Sequence, residues 1–260
     1  MSHDPFATSP ALPPPLPPPV APAPWGLLGS IAWGAAGVAI WFIAQLVVVA
    51  VYIRIHASGD NIDFKQFESN GFLLALVTTI ACPFWVGTMA LASRLRGWRV
   101  RDYLALVMPR RSEVLFGIAC LAALLIAFDL LTLAFGSDVV PPFMRDAYIS
   151  ARSSNSLVLF FIAVVVVGPI AEEIAFRGFL FRGLSATWLG VAGTTVLTSA
   201  AWAAMHVQYD WVLLGQIFLI GLLLGWLRWA SGSTLLTILL HVLANLAATI
   251  QAAIKVEWMG

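Results

Sequence analysis

The sequence predicts an all-α fold, a polytopic transmembrane helical bundle of about seven spans, within a range of six to eight. Three observations carry this. Of 260 residues, 60% are hydrophobic and only 10% are charged, against about 25% charge in an ordinary soluble domain. The apolar residues gather into seven runs, each near the length that crosses about 30 Å of hydrocarbon at about 1.5 Å per residue. Most charges fall between the runs, where water can reach them.

In chain order the runs lie at about 26–53, 71–93, 113–136, 156–175, 187–206, 211–230 and 233–252. The fourth contains Gly168-Pro169, which predicts a kink because proline removes a backbone hydrogen bond. Beyond it the helix is expected to continue through Phe176–Leu184. Ahead of the first run, ten of the fifteen prolines fall within the first 24 residues, which carry no Lys or Arg. This stretch lacks the basic region of a secretory signal. It reads as a proline-rich, polyproline-like disordered tail over 1–25, followed by a transmembrane domain over 26–260. No fixed-period repeat is apparent.

Six arginines, Arg94, Arg96, Arg99, Arg101, Arg110 and Arg111, cluster between the second and third runs. Positive charge is retained on the cytoplasmic side of membranes, so that loop and the N-terminus are expected there. The turn near Ser185–Leu189 would then be cytoplasmic too. Glu172 and His206 flank it at about 14 to 17 residues, hence at similar depth, roughly 20 to 25 Å in. That depth lies beyond the midplane, which leaves two readings open: one span miscounted, or a site opening to the other side.

A net charge of +1 argues against an acidic or basic partner, and nothing in the chain resembles a nucleic-acid-binding footprint. Cys82 and Cys120 stand alone in apolar runs without metal-ligand spacing, and read as small buried hydrophobes.

The chemistry concentrates where the apolar pattern is broken. Glu172-Glu173-Ile174-Ala175-Phe176-Arg177 follows Leu157–Ile170, a run without any charge, where an ionised group costs several kcal/mol unless paired or wetted. Glu173 and Arg177 are i,i+4 neighbours on a helix and can pair. Glu172 points about 100° away, and an unpartnered carboxylate in such a place suits a general base. His206 closes the fifth run with Trp202 one turn earlier, where an indole can pack on the imidazole and orient it. His241 and Asn245 fall mid-run at i,i+4, presenting two hydrogen-bonding groups on one face. An asparagine amide cannot act as a base but can hold an oxyanion. A carboxylate and an imidazole deprotonate water while an imidazole and an amide stabilise a tetrahedral oxyanion, which are the needs of amide hydrolysis. No metal or other cofactor is favoured; a divalent ion such as zinc on Glu172, His206 and His241 ranks lower, since no H-E-x-x-H pair is present. Asp129, Gln45 and Gln216 read as buried hydrogen-bond partners, and Gly221 with Gly225 as a close-packing face.

Taken together, Glu172-Glu173-x-x-x-Arg177, the aromatic-x-x-x-His206 and His241-x-x-x-Asn245 resemble the motifs of the CPBP intramembrane proteases. These include the type II CAAX prenyl endopeptidases and the Abi proteins linked to bacteriocin immunity. The resemblance covers about 156–250 and implies a membrane-embedded, glutamate-dependent endopeptidase. It implies that Glu172 and His206 activate water, that His241 and Asn245 form the oxyanion site, and that Glu173, Arg177 and Trp202 support them. Position 202 is Trp where the family usually has Phe. Prenyl recognition is not implied, because nothing in the chain shows a prenyl-binding groove.

The expected substrate is a membrane-associated peptide or protein, and the expected setting is a lipid bilayer, as an integral protein of a bacterial-type plasma membrane. A non-catalytic scaffold of the same fold binding a membrane partner is the alternative; four intact reactive side chains weigh against it. A proton-relay transporter ranks last, because the polar groups sit at one depth only.

Overall fold

The computed structural model describes residues 22–56 and 69–259. The proline-rich tail expected at 1–25 therefore lies outside the described residues except for 22–25. No strand occurs among the described residues. The helices are α1 (Leu27–His56), α2 (Gly71–Leu95), the short α3 (Val100–Tyr103), α4 (Arg111–Ala134), α5 (Pro142–Ser153), α6 (Leu157–Ser185), α7 (Gly190–Ala204), α8 (Trp211–Ser231) and α9 (Thr234–Trp258).

Six of them, α1, α2, α4, α6, α8 and α9, are long and apolar enough to cross a membrane. The fold is an all-α polytopic bundle and the chain an integral membrane protein. The expected full-length span at 187–206 is the refinement: α7 has 15 residues, about 22 Å at the helical rise, short of about 30 Å. The apolar run misleads because residues 187–189 belong to the preceding turn and His206 to the following loop. Many large apolar side chains point outward, among them Phe42, Phe84, Leu130 and Trp229, as a lipid-facing surface requires.

Contacts between loops define two faces. On the first, Arg96 Nε donates to Ala23 O and the Trp25 indole to Ala92 O, which ties the chain entering α1 to the end of α2. Arg182 donates to the backbone oxygens of Asp102 and Tyr103, and Thr234 N–H to Ala105 O. On the second face, Tyr148 in α5 donates to Glu257, Arg152 pairs with Glu257, and Lys255 with Asp138. The turn from α8 to α9 is sharp: Gly232 takes a left-handed φ of +68°, open to a residue without Cβ, and Ser233 Oγ caps Leu236 N–H.

Close packing follows the small residues. A Cβ on Gly221 would meet Ser199, and one on Gly225 would meet Thr195, so α7 and α8 approach through these positions as expected.

The fourth run continues as helix past Gly168-Pro169, as expected: α6 runs from Leu157 to Ser185, with two wide, π-helical stretches, Ile162–Val167 and Ile174–Leu180. Gly168 N–H reaches back five residues to Ala163 O. The next donor in that register would be Pro169, which has no N–H, so Val164 O lacks its helical partner. Asn245 Nδ2 in α9 donates to it at 2.9 Å. Where the second stretch ends, Phe181 N–H reaches Phe176 O. The next carbonyl, Arg177 O, accepts from Arg228 Nε of α8 at 2.9 Å. Wide turns of this kind concentrate at functional sites because they re-aim side chains.

Candidate active site

The two acids sit in α6 between the wide stretches, and identical side chains meet different surroundings. Glu173 and Arg177 are fully buried, and Arg177 Nη1 donates to Glu173 Oε1 at 2.8 Å. Arg177 Nη2 also donates to Gly221 O at 3.2 Å, and its guanidinium lies 4.7 Å from the centre of the Trp202 ring. The i,i+4 pair expected from spacing is present, and a backbone carbonyl and an aromatic ring add to the buried cation's partners, while its Nε has no hydrogen-bond partner among the described residues.

Glu172 is 21% exposed and faces a cavity of about 520 Å³. That volume lies within the range of small-molecule and peptide-sized sites. The walls include Glu172, Trp202, His206, His241 and Asn245, so the structure brings together every residue singled out as reactive. They come from four places: α6, the end of α7, the loop after it, and α9.

Trp202 does more than pack. Its ring is edge-on to both imidazoles, 5.4 Å from His206 and 5.0 Å from His241. Its indole N–H donates to Glu172 Oε2 at 2.5 Å. Sequence reasoning missed this bond; the available signal was the Trp itself, since Phe at that position has no donor.

The two histidines are held in defined tautomers. His206 Nδ1 lies 2.9 Å from Trp202 O, and a carbonyl only accepts, so Nδ1 carries the proton. In the neutral ring Nε2 is then left as an acceptor. His241 Nδ1 donates to Glu173 Oε1 at 3.0 Å, while its Nε2 stands 4.0 Å from Glu172 Oε2. Glu173 thus serves two partners, Arg177 and His241, of which spacing revealed only the first. The 4.0 Å separation is too long for a direct hydrogen bond.

Asn245 spends one amide N–H on Val164 O, and its second N–H stays available. Tyr209, not anticipated from sequence, stacks on His206 with centroids 6.3 Å apart and planes 13° apart. Burial, reinforced by the negative charge of Glu172, pushes its phenol up to about 12. Asp129, in the cavity wall, accepts from Gln251 Nε2 at 2.7 Å, the buried-partner role expected of it, and Gln216 also lines the wall.

The ligand set considered for a metal is Glu172, His206 and His241, all of which line the cavity. Among the described residues no three His, Cys, Asp or Glu side chains gather as a metal site would need.

Comparison with known proteins places this geometry in context. Residues 154–247 match the model of the Rce1-like type II CAAX prenyl endopeptidases. The chain is also 26% identical over 231 residues to an Escherichia coli protein described as an uncharacterized 24.3 kDa protein, covering 86% of this chain and 89% of that one. No solved structure matches.

Proposed function

We propose, from the Rce1-like domain that residues 154–247 form, that this chain is an intramembrane endopeptidase hydrolysing a membrane-proximal peptide bond. The observation that carries the proposal is the convergence of Glu172, His206, His241 and Asn245 on one cavity. Residues far apart in sequence and polar against their surroundings meet only there.

In this reading Glu172, steadied by the Trp202 indole, and the Nε2 acceptor of His206 take the proton from a water. The resulting hydroxide attacks the scissile carbonyl. Negative charge builds on the carbonyl oxygen of the tetrahedral intermediate. The second N–H of Asn245 and, in its protonated form, Nε2–H of His241 donate to that oxygen. Glu173 fixes His241 through Nδ1, which leaves Nε2 directed to the cavity. Collapse expels the amine, which receives the proton held by Glu172 or His206. No covalent enzyme intermediate and no metal is required. The setting is a bacterial-type plasma membrane, and the substrate a membrane-associated polypeptide.

The test is incubation of purified protein in detergent with a mixed panel of prenylated and unprenylated peptides, read by mass spectrometry. Wild type and Glu172→Gln are run with and without a strong chelator. Cleavage by wild type, lost in the variant and insensitive to chelator, is expected. Chelator-sensitive cleavage would replace the metal-free step, and cleavage undiminished in Glu172→Gln would remove the glutamate from the mechanism.

A further inference from the structure

We infer that the cavity opens on the membrane face turned away from the cytoplasm, and that its substrates are membrane-anchored or exported polypeptides presented from that side. This rests on the endopeptidase reading for the word substrate; the sidedness stands on charge and geometry alone.

The first face, where α2, α6 and α8 end and α4 and α9 begin, carries the six arginines between Arg94 and Arg111, with Arg182 beside them. Against these, among the described residues, stand Asp102 and Glu113. None of the seven arginines has a carboxylate within ion-pair distance among the described residues; Arg96 and Arg182 spend donors on backbone carbonyls. On the second face, among the described residues, Arg54, Arg145, Arg152 and Lys255 are matched in number by Asp138, Asp146, Asp210 and Glu257. Three of those cations sit in ion pairs, Arg145 with Asp146, Arg152 with Glu257 and Lys255 with Asp138, each at 2.9 Å. Lys and Arg in short loops set orientation, since the insertion machinery and membrane potential hold them inside. The loop of six arginines is short, so the first face is cytoplasmic.

The cavity belongs to the other face. Its wall includes Val139, Val140 and Pro141 from the segment leading into α5, Phe143 at the start of α5, and Gln208 and Tyr209 from the loop after α7. No residue of 94–111, 181–190 or 228–234 lines it among the described residues. The rim carries solvent-facing groups, with Gln208 and Asp138 exposed. Phe143 and Tyr209 meet edge to face across it, 5.8 Å between centroids. The shortness of α7 explains the depth: its 15 residues stop below the second face, and the loop carrying His206 and Tyr209 fills the remaining distance as the cavity floor and lip. A polypeptide in extended form can enter from outside along this rim. One delivered from the cytoplasm meets the arginine face instead.

The experiment uses full-length protein in bacterial cells, in a background with Cys82→Ala and Cys120→Ala. Single cysteines replace Ser137 and Gln208 at the rim, Gln216 inside the cavity, and Arg99 and Arg110 on the opposite face. Each variant is compared for membrane abundance with its parent, and two positions per face guard against a single misfolded variant. Intact cells are treated with a membrane-impermeant maleimide, and disrupted membranes serve as the reference. Labelling of Ser137, Gln208 and Gln216 in intact cells, with Arg99 and Arg110 labelled only after disruption, is expected. The reverse pattern would overturn the inference, as would Gln216 labelled only after disruption. Neither result bears on whether Glu172→Gln abolishes cleavage in detergent, so failure of sidedness and failure of the protease reading are separable.

Discussion

Replacing Trp202 by Phe keeps an aromatic ring beside both histidines and deletes the single N–H that holds Glu172 Oε2 at 2.5 Å. A hydrogen bond to a charged group contributes about 1.5–3 kcal/mol. Glu172 is 21% exposed, which screens the bond and puts the expectation in the lower half of that range, about 1.5–2 kcal/mol. Trp202→Phe alone also loses ring volume in a packed site, so its raw cost mixes two effects. A double-mutant cycle with Glu172→Ala separates them, because only the bond needs both partners. Unfolding in mixed micelles, followed by far-UV circular dichroism, should give a coupling of about 1.5–2 kcal/mol, roughly a ten- to thirty-fold change in the unfolding equilibrium. Turnover by Trp202→Phe should fall with little change in KM, since the base is loosened and the substrate walls are kept. Strict additivity, within about 0.5 kcal/mol, would show that the indole and the carboxylate do not act as a pair and would refute the positioning argument.

The remaining expectations are briefer. Glu173→Gln should destabilise by about 3–5 kcal/mol, the cost of stranding a buried partner charge, here Arg177, and should also weaken the hold on His241, leaving it an amide oxygen in place of a carboxylate. If Glu173→Gln and Glu172→Gln instead lose activity equally with unchanged stability, the division of labour between the acids fails. Asn245→Ala should lower turnover by roughly 10²–10³ and cost about 1–3 kcal/mol for leaving Val164 O without its donor; unchanged turnover would exclude Asn245 from the oxyanion site. Tyr209, its phenol raised to about 12, keeps its proton in the folded chain while the unfolded chain releases it near 10. Stability should therefore decline as pH rises from about 10 toward 12, and Tyr209→Phe should flatten that decline in alkaline thermal melts.

What could be read before the structure follows from what periodicity and spacing encode. The apolar runs marked the helices, and the i,i+4 spacings of Glu173 with Arg177 and His241 with Asn245 placed those pairs on single faces. Long-range partnerships left no such trace. Glu173 reaches His241 across 68 residues and Trp202 reaches Glu172 across 30, distances at which sequence position says nothing about contact. Around the expected kink at Pro169 the helix is widened, and Asn245 supplies the donor that proline lacks; a partner arriving from another helix cannot be read from the run itself. α7 was overestimated because hydropathy counts apolar residues in a turn and a loop the same as those in a helix.

The wide stretches of α6 have a consequence for how this chain can change. Each turn that closes over five residues instead of four advances the helix by one extra residue, about 100° of rotation for everything that follows. The stretch at Ile162–Val167 therefore works as a phase setting for the carboxylates downstream. Deleting one residue there would restore regular helix and still leave enough length to cross the bilayer. Glu172 would nevertheless swing off the cavity wall, and Glu173 away from His241. Composition, hydropathy and the spacing of the Glu-Glu-x-x-x-Arg motif would all be preserved, and the reaction centre would be lost. In a bundle of this kind, indels of a single residue upstream of the motif are expected to be as disabling as substitutions within it.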